Sequence, residues 1–346
     1  TIPSSVTLID DFAFNECQSL SQITIPSSSN LIFGQCVFKG VKSLEIKRSI
    51  QQLLNAMFEG CDSLTQITIP DSVTSIGDYA FNGCKSLTKL SIPSSVTSIG
   101  KCAFDGISTL EITGSINHVF NNMFENFTTL KEITIQSPVT SIGSNAFKGC
   151  TSLTKIIIPS SVTSIGDCCF SFCSSLKQIT IPSSVTSIGS NAFEKCSLLT
   201  QISIPSSVIT IGDNVFIYCS SLKRLTIPAS VTSIGKNSFS RCSSLLQVSF
   251  LASISSIEEN MFTYCSSLKH IVIPSSVISI GSNSFRGCSL LARIIIPSSV
   301  VSIGNDAFAL CSSLVQVIIP DSVKSIGIHA FYRCSSLSQI TIPSSV

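Results

Sequence analysis

Residues 158–180 read I-P-S-S-V-T-S-I-G-D-C-C-F-S-F-C-S-S-L-K-Q-I-T, and at Ile181 the string starts again. The isoleucine-proline pair recurs from Ile2 to Ile342, mostly in steps of 23 residues. Degenerate units beginning at Ile46, Ile112, Ile135 and Phe250 fill the gaps in phase, so the 346 residues hold fifteen complete turns and the start of a sixteenth. A fixed period means that each unit packs on its neighbours and the core grows along one axis. Residues 1–346 therefore read as a single solenoid rather than the two or three domains such a length would otherwise suggest. The chain begins and ends inside a repeat, without atypical capping units, and so reads as a fragment of a longer array.

The consensus I-P-S-S-V-T-S-I-G-D-x-A-F-x-x-C-S-S-L-x-Q-I-T has a physical reading in each part. Leu176, Ile179 and Ile181 alternate with outward residues and specify a short strand. Pro182 ends it, because proline cannot donate to a ladder. Val185 and Ile188 turn inward on a second, shorter extended piece. Gly189 is expected in a backbone conformation that other residues resist. Asp78, Asp167, Ser190, Asp213 and Asn305 follow that glycine slot and suit the cap of a short helical turn. A small residue, a phenylalanine and, three residues later, a cysteine would share one face of that turn. The period and the L-x-x-I-x-I pattern fall in the leucine-rich-repeat range. The expected fold is an α/β repeat: a leucine-rich-repeat solenoid of about 15 turns of 23 residues, with parallel strands on one face and short helical turns opposite.

Phenylalanine fills its slot in all fifteen turns, from Phe14 to Phe331, and is assigned to the core rather than to a ligand box. Twelve of the sixteen cysteines share one slot, where Val41, Ile107 and Phe127 replace them in the other turns. Apolar substitutes imply a small buried hydrophobe, which a free thiol supplies. Stacked turns about 4.8 Å apart with parallel Cβ vectors match a disulfide's Cβ separation of roughly 3.8 Å poorly. Cys168, Cys169 and Cys173 form the one local cluster, without the paired spacing or nearby histidine of a zinc site. His118, His270 and His329 fall in different slots of distant turns. No triad, phosphate loop or carboxylate pair can be assembled, so the expectation is a non-enzyme with no catalytic residue, metal or cofactor. Asn126-Phe127-Thr128 fits a glycosylation sequon, with Phe127 in the inward cysteine slot.

Charged residues make up 12% of the chain, against about 25% in an average domain. The net charge of +2 argues for neither a nucleic-acid binder nor an acidic tail. No run of about 18 apolar residues spans a membrane, and residues 1–6 lack the basic and apolar regions of a signal peptide. The candidate binding surface is the outward side of the strands. One slot there carries Lys155, Gln178, Gln201, Arg224, Gln247, His270, Arg293 and Gln316, and the preceding slot adds Lys177, Lys223 and Lys269. Eight of the twenty-one basic residues lie on this face against three acids, Glu45, Glu111 and Glu132. Two readings compete: long polar side chains that keep a sheet soluble, or a recognition face for an extended, acidic or glycan-bearing partner. The cations are too dilute, and aromatics too few, for a nucleic-acid platform.

Turns starting at Ile46, Ile112 and Phe250 lose I-P-S-S and carry the three methionines, Met57, Met123 and Met261. Two of them follow short units, the Ile25 turn of 21 residues and the Ile92 turn of 20. A shortened strand is expected to disturb stacking there. The choice is between decay filled by flexible methionine and a functional kink beside Lys47, Arg48 and His118. A threonine row, Thr74, Thr97, Thr140, Thr163 and Thr186, also admits an ice-binding reading.

The string I-P-S-S-V-T-S-I-G-x-x-A-F-x-x-C-S-S-L, almost intact from Ile158, Ile181 and Ile319, resembles the BspA-like leucine-rich-repeat family over the full chain. The serine- and threonine-rich consensus looks more like its protist than its bacterial branch. The resemblance implies a cell-surface or secreted adhesin engaging host-cell or matrix protein such as fibronectin, or a glycan. The family has no fixed binding motif, so no residue role is carried over. An intracellular scaffold or sensor is the alternative. End-to-end or side-by-side self-association is a further possible contact, since each end of the array exposes an unpaired turn.

Overall fold

The computed structural model describes residues 2–20, 22–24, 31–46, 50–136 and 138–346. The chain divides into two compact units, Thr1–Val162 and Thr163–Val346. In the first, seven parallel strands from Gln22–Ile23 to Lys155–Ile157 stack in chain order. Glu132, Ile133 and Thr134 lie beside Lys155, Ile156 and Ile157, the 23-residue step of the sequence. In the second unit Gln178–Thr180 pairs with Gln201–Ser203, and Arg224–Ile227, Gln247–Phe250 and His270–Ile271 pair in the same parallel sense. Two-residue strands such as Ser187–Ile188, Thr210–Ile211 and Ser233–Ile234 make a second parallel row. Period-two alternation buries Ile179 and Ile202 and exposes their neighbours. Each unit is thus a parallel-strand solenoid, with Val185, Phe193, Cys196 and Leu199 fully buried in a typical turn.

No helix occurs among the described residues, which corrects the expected helical turns opposite the strands. The cause is where the backbone N–H groups go. Tyr79, Phe81 and Gly83 donate to the carbonyls of Lys101, Ala103 and Asp105 in the next turn at 2.7–2.9 Å, while Asn82 and Cys84 donate locally to Tyr79 and Phe81. A helix keeps successive N–H groups within its own segment. Here alternate ones cross between turns, and Tyr79 and Gly83 take left-handed φ values of 57° and 78° that interrupt any right-handed run. The expected caps also act between turns. Asp78, Asp167, Asp213 and Asn305 accept from the N–H of Lys101, Ser190, Lys236 and Ile328 at 2.7–2.8 Å, and Ser190 from that of Asp213 at 3.3 Å. Gly189 needs no special φ. A Cβ there would lie 2.6 Å from the Asp167 nitrogen, so close approach of the neighbouring turn demands the glycine.

The phenylalanine column is core. In the second unit successive rings from Phe170 to Phe331 lie 5.2–5.7 Å apart and within 14° of parallel, the offset stacking that suits ring quadrupoles. From Cys196 to Cys334 each thiol of the cysteine column donates to the phenylalanine carbonyl 26 residues earlier, as from Cys219 to Phe193 and Cys242 to Phe216 at 3.1 Å. The slot therefore takes a small hydrophobe with a weak donor. All sixteen cysteines are free.

The two short turns disrupt this order within the first unit. The Phe38–Phe58 and Phe104–Phe124 pairs tilt by 32° and 38°, whereas the Phe58–Phe81 and Phe81–Phe104 pairs stay within 12°. The N–H groups of Phe38 and Phe104 have no backbone acceptor in the next turn among the described residues, while those of Phe58 and Phe81 do. On the sheet side, Ile112 lies beside Leu90 but Leu110 beside Ile133, a slip of two residues. An even slip keeps the same face inward. The strands are not shortened as expected. Ser43–Ile46 and Thr109–Gly114 are long, and what is missing is the link between the cysteine slot and the strand. Met57 and Met123 are buried there. Lys47 and Arg48 lie outside the described residues.

Candidate interaction surface

The strand row places all eleven candidate residues on one kind of surface, two adjacent outward columns. Ten are exposed and Gln316 is half-buried. Their electrostatics differ between the units. In the first, Lys155 lies 3.8 Å from Glu132, and Lys89 lies 3.7 Å from Glu111. These two cations are paired with neighbouring acids, while Lys131 on the preceding column has no salt bridge among the described residues. In the second unit the same columns carry Lys177, Lys223, Arg224, Lys269 and Arg293 with no acid among them. Among the described residues none of these five has a salt bridge; the ion pairs of that unit, such as Lys236–Glu259 and Arg286–Asp306, lie on other columns. Gln178, Gln201, Gln247 and His270 fill the remaining positions, and Gln201 donates to Gln178 across the turn at 3.4 Å. The face is therefore a cationic stripe with hydrogen-bonding amides between its charges.

A second surface feature was not foreseen. The residue before the cysteine slot is mostly glycine in the first unit (Gly40, Gly60, Gly83, Gly106 and Gly149, with Glu16 and Asn126 the exceptions), whereas the second unit carries the run Phe172, Lys195, Tyr218, Arg241 and Tyr264 ahead of Gly287, Leu310 and Arg333. All five of the run hold a left-handed backbone, φ 56–63°, which costs a side-chain-bearing residue about 1–2 kcal/mol relative to glycine's ease there. Lys195 sits between the Phe172 and Tyr218 rings at 4.2 and 5.7 Å, and Arg241 between Tyr218 and Tyr264 at 5.3 and 4.9 Å. Each contact returns about 0.5–1 kcal/mol. The signal was present as an aromatic-cation alternation at 23-residue spacing in a slot that is otherwise often glycine.

The remaining chemistry is quiet. Burial raises the thiols of Cys219 and Cys265 well above the ordinary value and that of Cys242 to about 12, so they stay protonated and weakly nucleophilic. Among the described residues no three His, Cys, Asp or Glu side chains gather as metal ligands. Asn126 and Thr128 of the sequon are exposed and Phe127 is buried. The threonine hydroxyls of Thr74, Thr97 and Thr186 donate to carbonyls of the preceding turn, so their protons are already engaged. No helix of the described residues is long and apolar enough to cross a membrane.

A family model described as BspA type leucine rich repeat region (6 copies) matches residues 1–111, 33–154, 140–269 and 255–346. A leucine-rich repeat protein from Bacteroides ovatus ATCC 8483 is similar over 99% of this chain and 83% of its own, at 29% identity and a TM-score of 0.64. A leucine-rich cell surface protein from Faecalibacterium prausnitzii A2-165 matches 98% of this chain and 91% of its own, at 26% identity and a TM-score of 0.43. No curated protein matches the chain.

Proposed function

Because the chain belongs to the BspA-type leucine-rich repeat family, we propose that it is a non-catalytic binding solenoid, displayed at a cell surface or secreted, that engages a host-cell or matrix protein through its strand face. The observation that carries this reading is the row of unpaired cations in the second unit, Lys177, Lys223, Arg224, Lys269 and Arg293. Exposed cations without partners repel one another, and a stripe of one sign favours an acidic counterpart and speeds its encounter. Fibronectin is the first protein to try. A glycan-bearing partner is the variant of the same reading in which the acid is a sugar carboxylate or sulfate.

The test is binding of the purified chain to immobilised fibronectin and to host cells across a salt series. A variant carrying Lys177→Glu, Lys223→Glu, Arg224→Glu and Lys269→Glu is run in parallel. Saturable binding that weakens with salt and disappears in the variant is the expected result. Binding that survives the variant would move the site off the strand face. No binding at any salt would turn the reading toward an intracellular scaffold.

A further inference from the structure

A third outward column of the strand row changes character along the second unit. It reads Thr180, Ser203, Thr226 and Ser249, then Val272, Ile295 and Ile318, and returns to Thr341 in the last strand. Val272 is 80% exposed, Ile295 82% and Ile318 60%. At the same place the strand pairing thins. The three-stranded sheet ends at His270–Ile271, and the following turn contributes only one bridge, between Arg293 and Gln316. A cavity of about 440 Å³ opens there, lined by Arg293, Ile294, Ile295, Ile296, Ile318 and Pro320.

The solvated face of a sheet ordinarily presents polar residues. Three aliphatic side chains in consecutive turns of one column, beside a cavity, are a contiguous apolar patch of the kind that marks a binding surface. Charge decides what covers it. Lys269 and Arg293 flank the patch without a salt bridge among the described residues, and the face carries no acid in this unit. A second copy docked on the same face would oppose like charges. A neutral apolar segment would bury Arg293 without a counterion, which is costly. An extended acidic polypeptide with an aliphatic or aromatic side chain between its carboxylates satisfies both demands. Its apolar group fills the cavity, and a carboxylate beside it meets the planar, two-pronged Arg293 guanidinium.

We propose that the cavity between Arg293 and Ile318 is a specificity pocket for one apolar side chain of an extended acidic partner segment. This rests on the reading of the strand face as the partner surface. The patch would then supply selection among acidic partners, and the cation row the attraction to them.

Fluorescence anisotropy on the full chain with three labelled peptides of equal length tests it: alternating Asp and Leu, alternating Asp and Ser, and alternating Lys and Leu. The Asp/Leu peptide is expected to bind at least tenfold more tightly than Asp/Ser, with Lys/Leu not binding. Ile295→Ser and Ile318→Ser remove exposed side chains and should leave the urea midpoint in place. Each is expected to erase the tenfold preference while leaving Asp/Ser affinity within twofold. Arg293→Gln should weaken the Asp/Leu peptide most. Equal binding of the two acidic peptides, or indifference to Ile295→Ser, overturns the pocket and leaves the acidic-partner reading standing. Binding of Lys/Leu alone, or of none of the three, overturns both. A dimer in sedimentation that Ile295→Ser dissolves would assign the patch to a second copy and also overturn the proposal.

Discussion

Raising the pH from 8 to 10 is expected to remove most of this protein's folding stability, and the cysteine column sets the size of the loss. Cys196, Cys219, Cys242, Cys265, Cys288 and Cys311 are buried, and burial raises each thiol above its ordinary value of 9.0, that of Cys242 to about 12. Each S–H also donates to a phenylalanine carbonyl at 3.1–3.2 Å, a bond that a thiolate cannot make. In the unfolded chain these thiols ionise near pH 9, while in the folded chain they keep their protons. The folded state then binds more protons, so stability is unaffected below about pH 8 and falls as pH rises from about 9 toward the raised folded values. At pH 10 an unfolded thiol one unit past its midpoint favours unfolding by about 1.4 kcal/mol. Six of them weigh about 8 kcal/mol, against a typical total of about 5–15 kcal/mol for a folded domain.

The assay is urea unfolding followed by circular dichroism at pH 8, 9 and 10, with reductant and constant ionic strength. Lysine and tyrosine titration overlaps this range, so the decisive quantity is a difference. Cys242→Ala loses packing at every pH, but its stability should fall about 1.4 kcal/mol less between pH 8 and 10 than the parent's. A parent loss below about 2 kcal/mol, or an unchanged slope in Cys242→Ala, would refute the idea that buried protonated thiols control alkaline stability.

Two further substitutions probe single slots. Ser284 and Ser238 occupy the same small buried position, but among the described residues the Ser284 hydroxyl has no hydrogen-bond partner, while that of Ser238 is shared between the carbonyls of Gly235 and Gly212. Ser284→Ala should therefore stabilise by about 1 kcal/mol and Ser238→Ala destabilise by a similar amount, and urea midpoints moving in the same direction would contradict this. Arg241→Gly relieves a left-handed backbone worth about 1 kcal/mol and loses two ring contacts worth about 0.5–1 kcal/mol each. Its stability should stay within about 1 kcal/mol of the parent, and a midpoint loss equivalent to more than about 2 kcal/mol would show that the aromatic-cation column is a structural staple.

The repeat, its strand register and its phenylalanine and cysteine columns were legible because each is a period in the covalent sequence. The helical turn was misread for a physical reason. A small residue, a phenylalanine and a cysteine at short spacing, such as Ala192, Phe193 and Cys196, share a side on a helix, and equally on a run of tight turns. Sequence held a signal that separates the two. Asn145, Asn191, Asn214, Asn237, Asn260 and Asn283 occupy one slot, and all are left-handed; asparagine is the commonest side-chain-bearing residue in that region after glycine's own use of it. The need for Gly189 was legible, but its cause, the approach of the preceding turn to its Cα, belongs to packing between repeats. The strand face was located correctly as a row of outward slots. Its division was missed because net charge was summed over the whole chain.

Residues 1–162 hold ten Lys and Arg against twelve Asp and Glu, while residues 163–346 hold eleven against seven. The near-neutral total hides two units of opposite sign. This matters because inward and outward columns answer to different constraints. An inward slot sees the same neighbours above and below in every turn, so packing holds it nearly constant, as Phe193, Phe216 and Phe239 show. An outward slot sees water, and packing alone does not choose its occupant. A directed change along such a column, from Thr180 and Ser203 to Val272 and Ile295, therefore needs a cause outside the fold. The column of Phe172, Lys195 and Tyr218 has an internal account, since ring contacts offset its backbone strain. The aliphatic column has none, as its side chains are mostly in water. Of the two departures from the repeat, the aliphatic one is therefore the one that demands a partner.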